Sequence, residues 1–287
     1  MNKPELLAAF WTLAGDIYPG SASKVSPYSL QARVEAAAKA GWKGIALSLP
    51  DLQFTLQKLS ISDVRQLFKD NDIKYFEMEI LKDWYLEGEE RLISDNERKK
   101  IMDLGGELGM RTLKIGAKPQ EDSVQAIEKI SVDFSKLCQD AMQINANIAL
   151  EIMPFSRFSN LEDGLKIVDT GDMNGGLCLD IWHLSRGNID FKKIKHVPAH
   201  LIKSVELNDA KNSIHGSLFN DSIHHRKLCG EGDFDITNFL HEIKSAGFNQ
   251  PYLGVEIISK DHRNLTLNQM AQSAYDSAVD VINKVLN

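Results

Sequence analysis

The sequence predicts a single (β/α)8 barrel over residues 1–287, from its length, its repeating β and α segments, and the charges that end its apolar runs. A chain of 287 residues suits this fold, whose typical size is about 250 residues. Short β-rich runs alternate with amphipathic stretches, and the strands start near Phe10, Lys43, Ile73, Arg111, Asn147, Gly176, Ile202 and Tyr252. Eight such starts at a mean interval of about 35 residues are the pattern of βαβ units, and no linker breaks the series.

Taken in chain order, Ser29 to Ala40 reads as a packing helix, with Leu30, Val34 and Ala37 on one face and Gly41 as its stop. Ile45-Ala46-Leu47 is a short, continuous apolar run, as expected of a strand buried on both faces. Asp122 to Ile144 places Val124, Ile127, Ile130, Phe134, Leu137 and Met142 near the 3.6-residue period of a helix. Ile148-Ala149-Leu150 and Gly254-Val255-Glu256-Ile257-Ile258 read as two further buried strands. Between them, Gly230-Glu231-Gly232-Asp233-Phe234-Asp235 makes a turn before a helix starting near Ile236.

Forty acidic against 33 basic residues give a net charge of -7, which argues against a surface built to neutralise nucleic-acid phosphates. No stretch approaches the roughly 18 uninterrupted apolar residues of a membrane span, and Met1-Asn2-Lys3-Pro4-Glu5 lacks a signal core. The expected location is cytoplasmic and the expected partner a small molecule. Cys138, Cys178 and Cys229 are too few and too dispersed for a disulfide framework or a thiolate zinc site.

Carboxylates appear where buried runs meet solvent: Glu151, Asp180, Glu206 and Glu256 close strands five to eight. In a barrel these ends converge on one mouth, where active sites of the fold sit. Grouping four acids there costs desolvation and repulsion, which a divalent cation offsets. For each acid alone, a helix cap or a lysine pair is the competing explanation. His183, three residues beyond Asp180, is placed to bind metal, contact a substrate oxygen or carry a proton. Arg226 offers a planar fork for a substrate hydroxyl or phosphate. Glu79 and Lys114 end strands three and four, either lining the opposite wall or standing as solvated loop charges. Trp11, Trp84 and Trp182 supply either an apolar wall or core packing.

Five segments carry a resemblance: Ala149-Leu-Glu-Ile-Met-Pro154, Gly176-Leu-Cys-Leu-Asp-Ile-Trp-His183, Val205-Glu-Leu-Asn-Asp209, Arg226-Lys-Leu-Cys-Gly-Glu-Gly-Asp233 and Gly254-Val-Glu-Ile257. Together they resemble the xylose isomerase-like TIM-barrel superfamily of sugar (phosphate) isomerases and epimerases. The resemblance implies a metal held by Glu151, Asp180, Glu206 and Glu256, with His183 and Arg226 on the substrate. The third ligand in the epimerases is commonly His, where this chain has Glu206, and the excess negative charge of four carboxylates implies that hard Mn2+ or Mg2+ is preferred over Co2+ or Zn2+, that a carboxyl is protonated, or that the site has drifted. The expected reaction is isomerisation or epimerisation of a small sugar, sugar phosphate or polyol ketone through an enediolate, with Glu151 and Glu256 moving the proton. A dehydratase on the same scaffold, similar to inosose dehydratase, is the nearest alternative enzyme. A non-catalytic sugar-binding barrel with a degenerate metal site is the alternative of a different class. The resemblance also makes a homodimer the common assembly. Residues 210–227, with His215, His224 and His225, are long enough for a lid.

Overall fold

The structure is a computed structural model that describes residues 4–119 and 125–286. Eight parallel strands close a barrel in chain order: β1 Glu5–Ala8, β2 Gly44–Ser48, β3 Tyr75–Leu81, β4 Thr112–Ile115, β5 Asn147–Glu151, β6 Gly175–Asp180, β7 Ile202–Leu207 and β8 Tyr252–Val255. Between and after them lie α1 Phe10–Leu13, α2 Leu30–Ala40, α3 Leu49–Thr55, α4 Ile61–Asp70, α5 Gly88–Leu108, α6 Ile127–Met142, α7 Leu161–Val168, α8 Ile181–Arg186, α9 Leu218–His224, α10 Ile236–Ser245, α11 Lys260–Arg263 and α12 Leu267–Leu286. Parallel strands are covered by helices on their outer face, which is why β6 and β7 are buried at every position, Lys203, Ser204 and Glu206 included.

Packing divides the chain into two compact units. One comprises Met1–Phe76, Glu206–His241 and Pro251–Asn287; the other comprises Glu77–Val205 and Glu242–Gln250. In the first, β1 pairs with β8 from Glu5↔Tyr252 to Ala8↔Val255 and with β2 at Leu7↔Gly44. The Ser29 hydroxyl accepts from Ala32 N at 3.2 Å to start α2, and Gly41, at φ +110°, stops it as the sequence predicts. The Trp42 indole donates to Ala271 O at 2.9 Å and ties the start of β2 to α12. In the second unit, β4, β5 and β6 run in continuous register through Ile115↔Leu150↔Leu177. α6 buries Ile130, Phe134, Leu137 and Cys138 at helical spacing. All three cysteines are buried, and none is in a disulfide. No helix of the described residues is long and apolar enough to cross a membrane.

The first strand departs from the sequence expectation. Phe10 opens α1, and β1 ends at Ala8. Leu6 to Leu13 is apolar almost throughout, so periodicity cannot mark where strand gives way to helix. The other seven strands begin within two residues of their expected starts. β8 stops at Val255, short of the apolar run through Ile258. The helix expected from Asp122 is described from Ile127 to Met142; Asp122 and Val124 lie outside the described residues.

Candidate active site

The site residues of the second unit begin at the end of β5. Glu151 is its last residue, and Asp180 is the last of β6 and the N-cap of α8. One Asp180 carboxylate oxygen accepts from Trp182 N at 2.6 Å and from His183 N at 3.4 Å, satisfying donors that open a helix. That cap sets His183 on the first turn of α8, where its Nε2 lies 3.2 Å from Glu151 Oε1. Glu151, Asp180 and His183 are all buried, at 6%, 1% and 3% exposure. Each offers a ligand atom within 4.8 Å of the others, a group able to hold a metal ion.

Burial opposes ionisation of Glu151, but the His183 hydrogen bond and charge, with help from Lys114, outweigh it and hold the carboxyl below its ordinary range; Asp180 pushes the other way. Trp182 and Phe155 meet the His183 ring edge-on at centroid distances of 5.1 and 5.7 Å.

Lys114 and Glu79 sit inside β4 and β3 rather than at their ends, and both are buried. Lys114 Nζ is 3.1 Å from Glu79 Oε1 and 3.6 Å from Glu77 Oε2. The solvated-loop alternative for these two is therefore excluded. Trp84 packs against Tyr85, Phe134 and Phe158 and donates to Gly116 O at 3.2 Å, a core role. Trp11 is half-buried against the cluster of Leu7 and Phe10.

In the first unit, Glu206 is fully buried on β7 and in register with Gly254 of β8. Glu256 follows β8 directly, and its N–H donates to Leu207 O at 3.0 Å. Arg226 is 1% exposed and brings Nη1 to 2.9 Å from Glu256 Oε2. Its Nε donates to Ser222 O at 3.2 Å and its Nη2 to Ser222 Oγ at 3.3 Å, so α9 braces the guanidinium.

Two residues of this unit carry more of the architecture than the sequence disclosed. Asp209 accepts four backbone N–H groups: Ala210 and Phe234 on Oδ1, at 2.8 and 3.0 Å, and Gly230 and Gly232 on Oδ2, at 3.0 and 2.9 Å. A Cβ on Gly232 would stand 2.1 Å from that carboxylate, so only glycine admits the approach. Asp209 also exchanges backbone bonds with Lys227, the residue after Arg226. The available signal was an Asn-Asp pair at a strand end facing a Gly-x-Gly turn. Arg263 is the other, donating to Ile223 O and His224 Nδ1 at 2.9 Å each and lying 4.4 Å from the Tyr18 ring centroid. The C-terminal end of α9 is thus fastened, while residues 211–217, including His215, are exposed.

Residues 34–284 match the family model described as xylose isomerase-like TIM barrel. The 3-dehydroshikimate dehydratase of Pseudomonas aeruginosa is 27% identical over 238 residues, 82% of this chain and 37% of that protein. The inosose isomerase of Bacillus subtilis is 27% identical over 164 residues, 56% of this chain and 58% of that protein. The chain therefore spans well under two thirds of the length of these relatives. Among solved structures, the IolI protein with a bound zinc atom superposes with a TM-score of 0.84 at 20% identity, covering 98% of this chain and 99% of that one. A D-psicose 3-epimerase in the presence of D-fructose gives 0.71 at 14% identity, covering 99% and 100%. From residue 34 to residue 284, in sequence and in the closed eight-stranded barrel, this chain belongs to the xylose isomerase-like TIM barrel family.

Proposed function

We propose that this chain is a divalent-metal-dependent isomerase or epimerase of a small sugar, sugar phosphate or polyol ketone. The observation that carries the reading is the buried group of Glu151, Asp180 and His183, with ligand atoms within 4.8 Å of one another. Carboxylate oxygens are hard donors, suited to Mn2+ or Mg2+ and also accepting Co2+ or Zn2+, while His183, at 3.2 Å from Glu151 Oε1, is kept for the substrate. Glu206, next to last in β7, and Glu256, directly after β8, are the further ligands of the proposed set with Glu151 and Asp180.

The chemistry a bound divalent ion supplies in such a site is polarisation of a carbonyl, which acidifies the adjacent C–H. Glu151, kept ionised by His183, takes that proton on a carboxylate oxygen. Glu256, oriented by Arg226, enters the step protonated and gives that proton up, so Glu151 ends protonated and Glu256 ionised until exchange with solvent resets both. Return to the opposite face of the same carbon inverts it; return to the neighbouring carbon moves the carbonyl. His183, Arg226, Glu79 and Lys114 hold the substrate oxygens. A second reading, expulsion of a β-hydroxyl as water from the same first step, is favoured by the dehydratase relation that spans 82% of this chain.

The test is calorimetric titration of chelator-treated protein with Mn2+, followed by incubation with a ketose panel in D2O and product analysis. Stoichiometric binding that weakens at least about tenfold in Glu151→Gln and Glu206→Gln, with deuterium entering the product next to the carbonyl, is the expected outcome. No binding of Mn2+, Mg2+, Co2+ or Zn2+ overturns the reading and leaves a sugar-binding barrel.

A further inference from the structure

β1 leaves the sheet one residue before it could flank Glu256. Its last pairing with β8 is Ala8↔Val255, and the chain then turns into α1. On that side Val255 O still accepts from Ala9 N at 3.1 Å, but the backbone beyond it has left the β1 ladder, and its polar groups need other partners. The Thr12 hydroxyl supplies them. It donates to Val255 O at 2.8 Å and accepts from Ile257 N at 2.9 Å, the groups immediately before and after Glu256. One hydroxyl has one proton and lone pairs to spare, so a single side chain can bridge both. On the other side, Glu256 N is held by Leu207 O at 3.0 Å.

Thr12 is itself fixed. It is fully buried, and His262 of α11 lies with Nε2 3.0 Å from Thr12 O. A carbonyl only accepts, so that nitrogen carries the proton and the ring is held in one tautomer. Ser259 caps α11 by accepting from His262 N. The loop that follows Glu256 thus returns through His262 to brace the residue that braces Glu256.

We infer that Thr12, buttressed by His262, is a positioning residue that sets the backbone at Glu256 and so the direction of its carboxylate. The assignment of Glu256 as metal ligand and proton carrier rests on the reading proposed above. Thr12 itself touches no reacting atom; it acts through the peptide units on either side of Glu256. A valine there keeps the shape and removes both bonds, whereas a serine keeps both.

The experiment follows Thr12→Val, Thr12→Ser and Thr12→Cys in the full chain, with Ser94→Ala as the control. Ser94 is a buried hydroxyl of α5 that donates to Lys82 O at 2.6 Å, remote in sequence from Glu256. Amide hydrogen exchange at Ile257 and Mn2+ titration of chelator-treated protein are read for each. In Thr12→Val, exchange at Ile257 should accelerate about tenfold and Mn2+ affinity fall at least about fivefold. Thr12→Ser should restore both, Thr12→Cys should lie between, and Ser94→Ala should lower the melting temperature while moving neither. Unchanged exchange at Ile257 in both Thr12→Val and Thr12→Cys overturns the inference, as does faster exchange with Mn2+ affinity intact. If the wild type binds no Mn2+, the metal reading fails separately, and the exchange at Ile257 still decides whether Thr12 holds this backbone.

Discussion

In the unit built around β3 to β6, the acidic residues are held by their neighbours' side chains and by the first turn of a short helix: His183 on Glu151, Lys114 on Glu79, α8 on Asp180. In the unit that carries the end of β7 and all of β8, the backbone is the thing being held. Asp209 gathers four N–H groups and Thr12 bridges two peptide units, while Glu256 takes Arg226 as its partner. The difference teaches that two buried aspartates near the ends of adjacent strands can serve opposite purposes. Asp180 caps a helix that any acceptor could cap; Asp209 organises a loop that no other residue type could.

The same change at each aspartate separates them. Asp209→Asn should cost about 3–4 kcal/mol in urea unfolding, because an amide turns its NH2 toward buried backbone donors and leaves them unsatisfied. A loss below about 1 kcal/mol would show that the loop has other support and erase the contrast.

Next in size is the response to acid in the β8 unit. Burial, helped by the nearby Arg263 charge and opposed by the bond to Thr12, pushes the His262 pKa from 6.5 down to about 4. The unfolded chain takes up a proton below about pH 6.5 that the folded chain refuses until about pH 4. Stability is therefore complete above pH 6.5 and should decline by up to about 3 kcal/mol on descending to pH 4. Unfolding curves of wild type and His262→Gln across this window check it. Parallel slopes for the two proteins would remove His262 as the cause.

The smallest effect belongs to Asp180→Asn. Asparagine caps a helix as well as aspartate, so stability should change by less than about 1 kcal/mol, with relief of repulsion on Glu151 offsetting any loss. Mn2+ binding should nevertheless fall, which would sharpen the division between an aspartate kept for the fold and one kept for a ligand.

The two regions also differ in how far they could be read from sequence. Leu179-Asp180-Ile181-Trp182-His183 is legible because strand end, cap and first helical turn lie within five residues. The eight-unit alternation was legible for the same reason, each unit being locally patterned. Thr12 was not, since its hydroxyl partners stand 243 and 245 positions away. The misplaced start of β1 hid it further, by assigning its neighbourhood to a strand. Asp209 was visible as a residue but not as a hub, because its four donors carry no side-chain signature. Glu79 and Lys114 were found as charges, and only the barrel interior reveals that they neutralise one another.

The pairing of β1 with β8 also sets an order of maturation during synthesis. Thr12 emerges 243 residues ahead of the Val255 carbonyl it will bind, so β1 waits with one edge unpaired until β8 has been made. The stretch Glu77–Val205 is contiguous and can begin to pack while the rest is still being translated. The stretch that holds His183 can therefore mature early, and the unit that holds Glu256 must wait for β8.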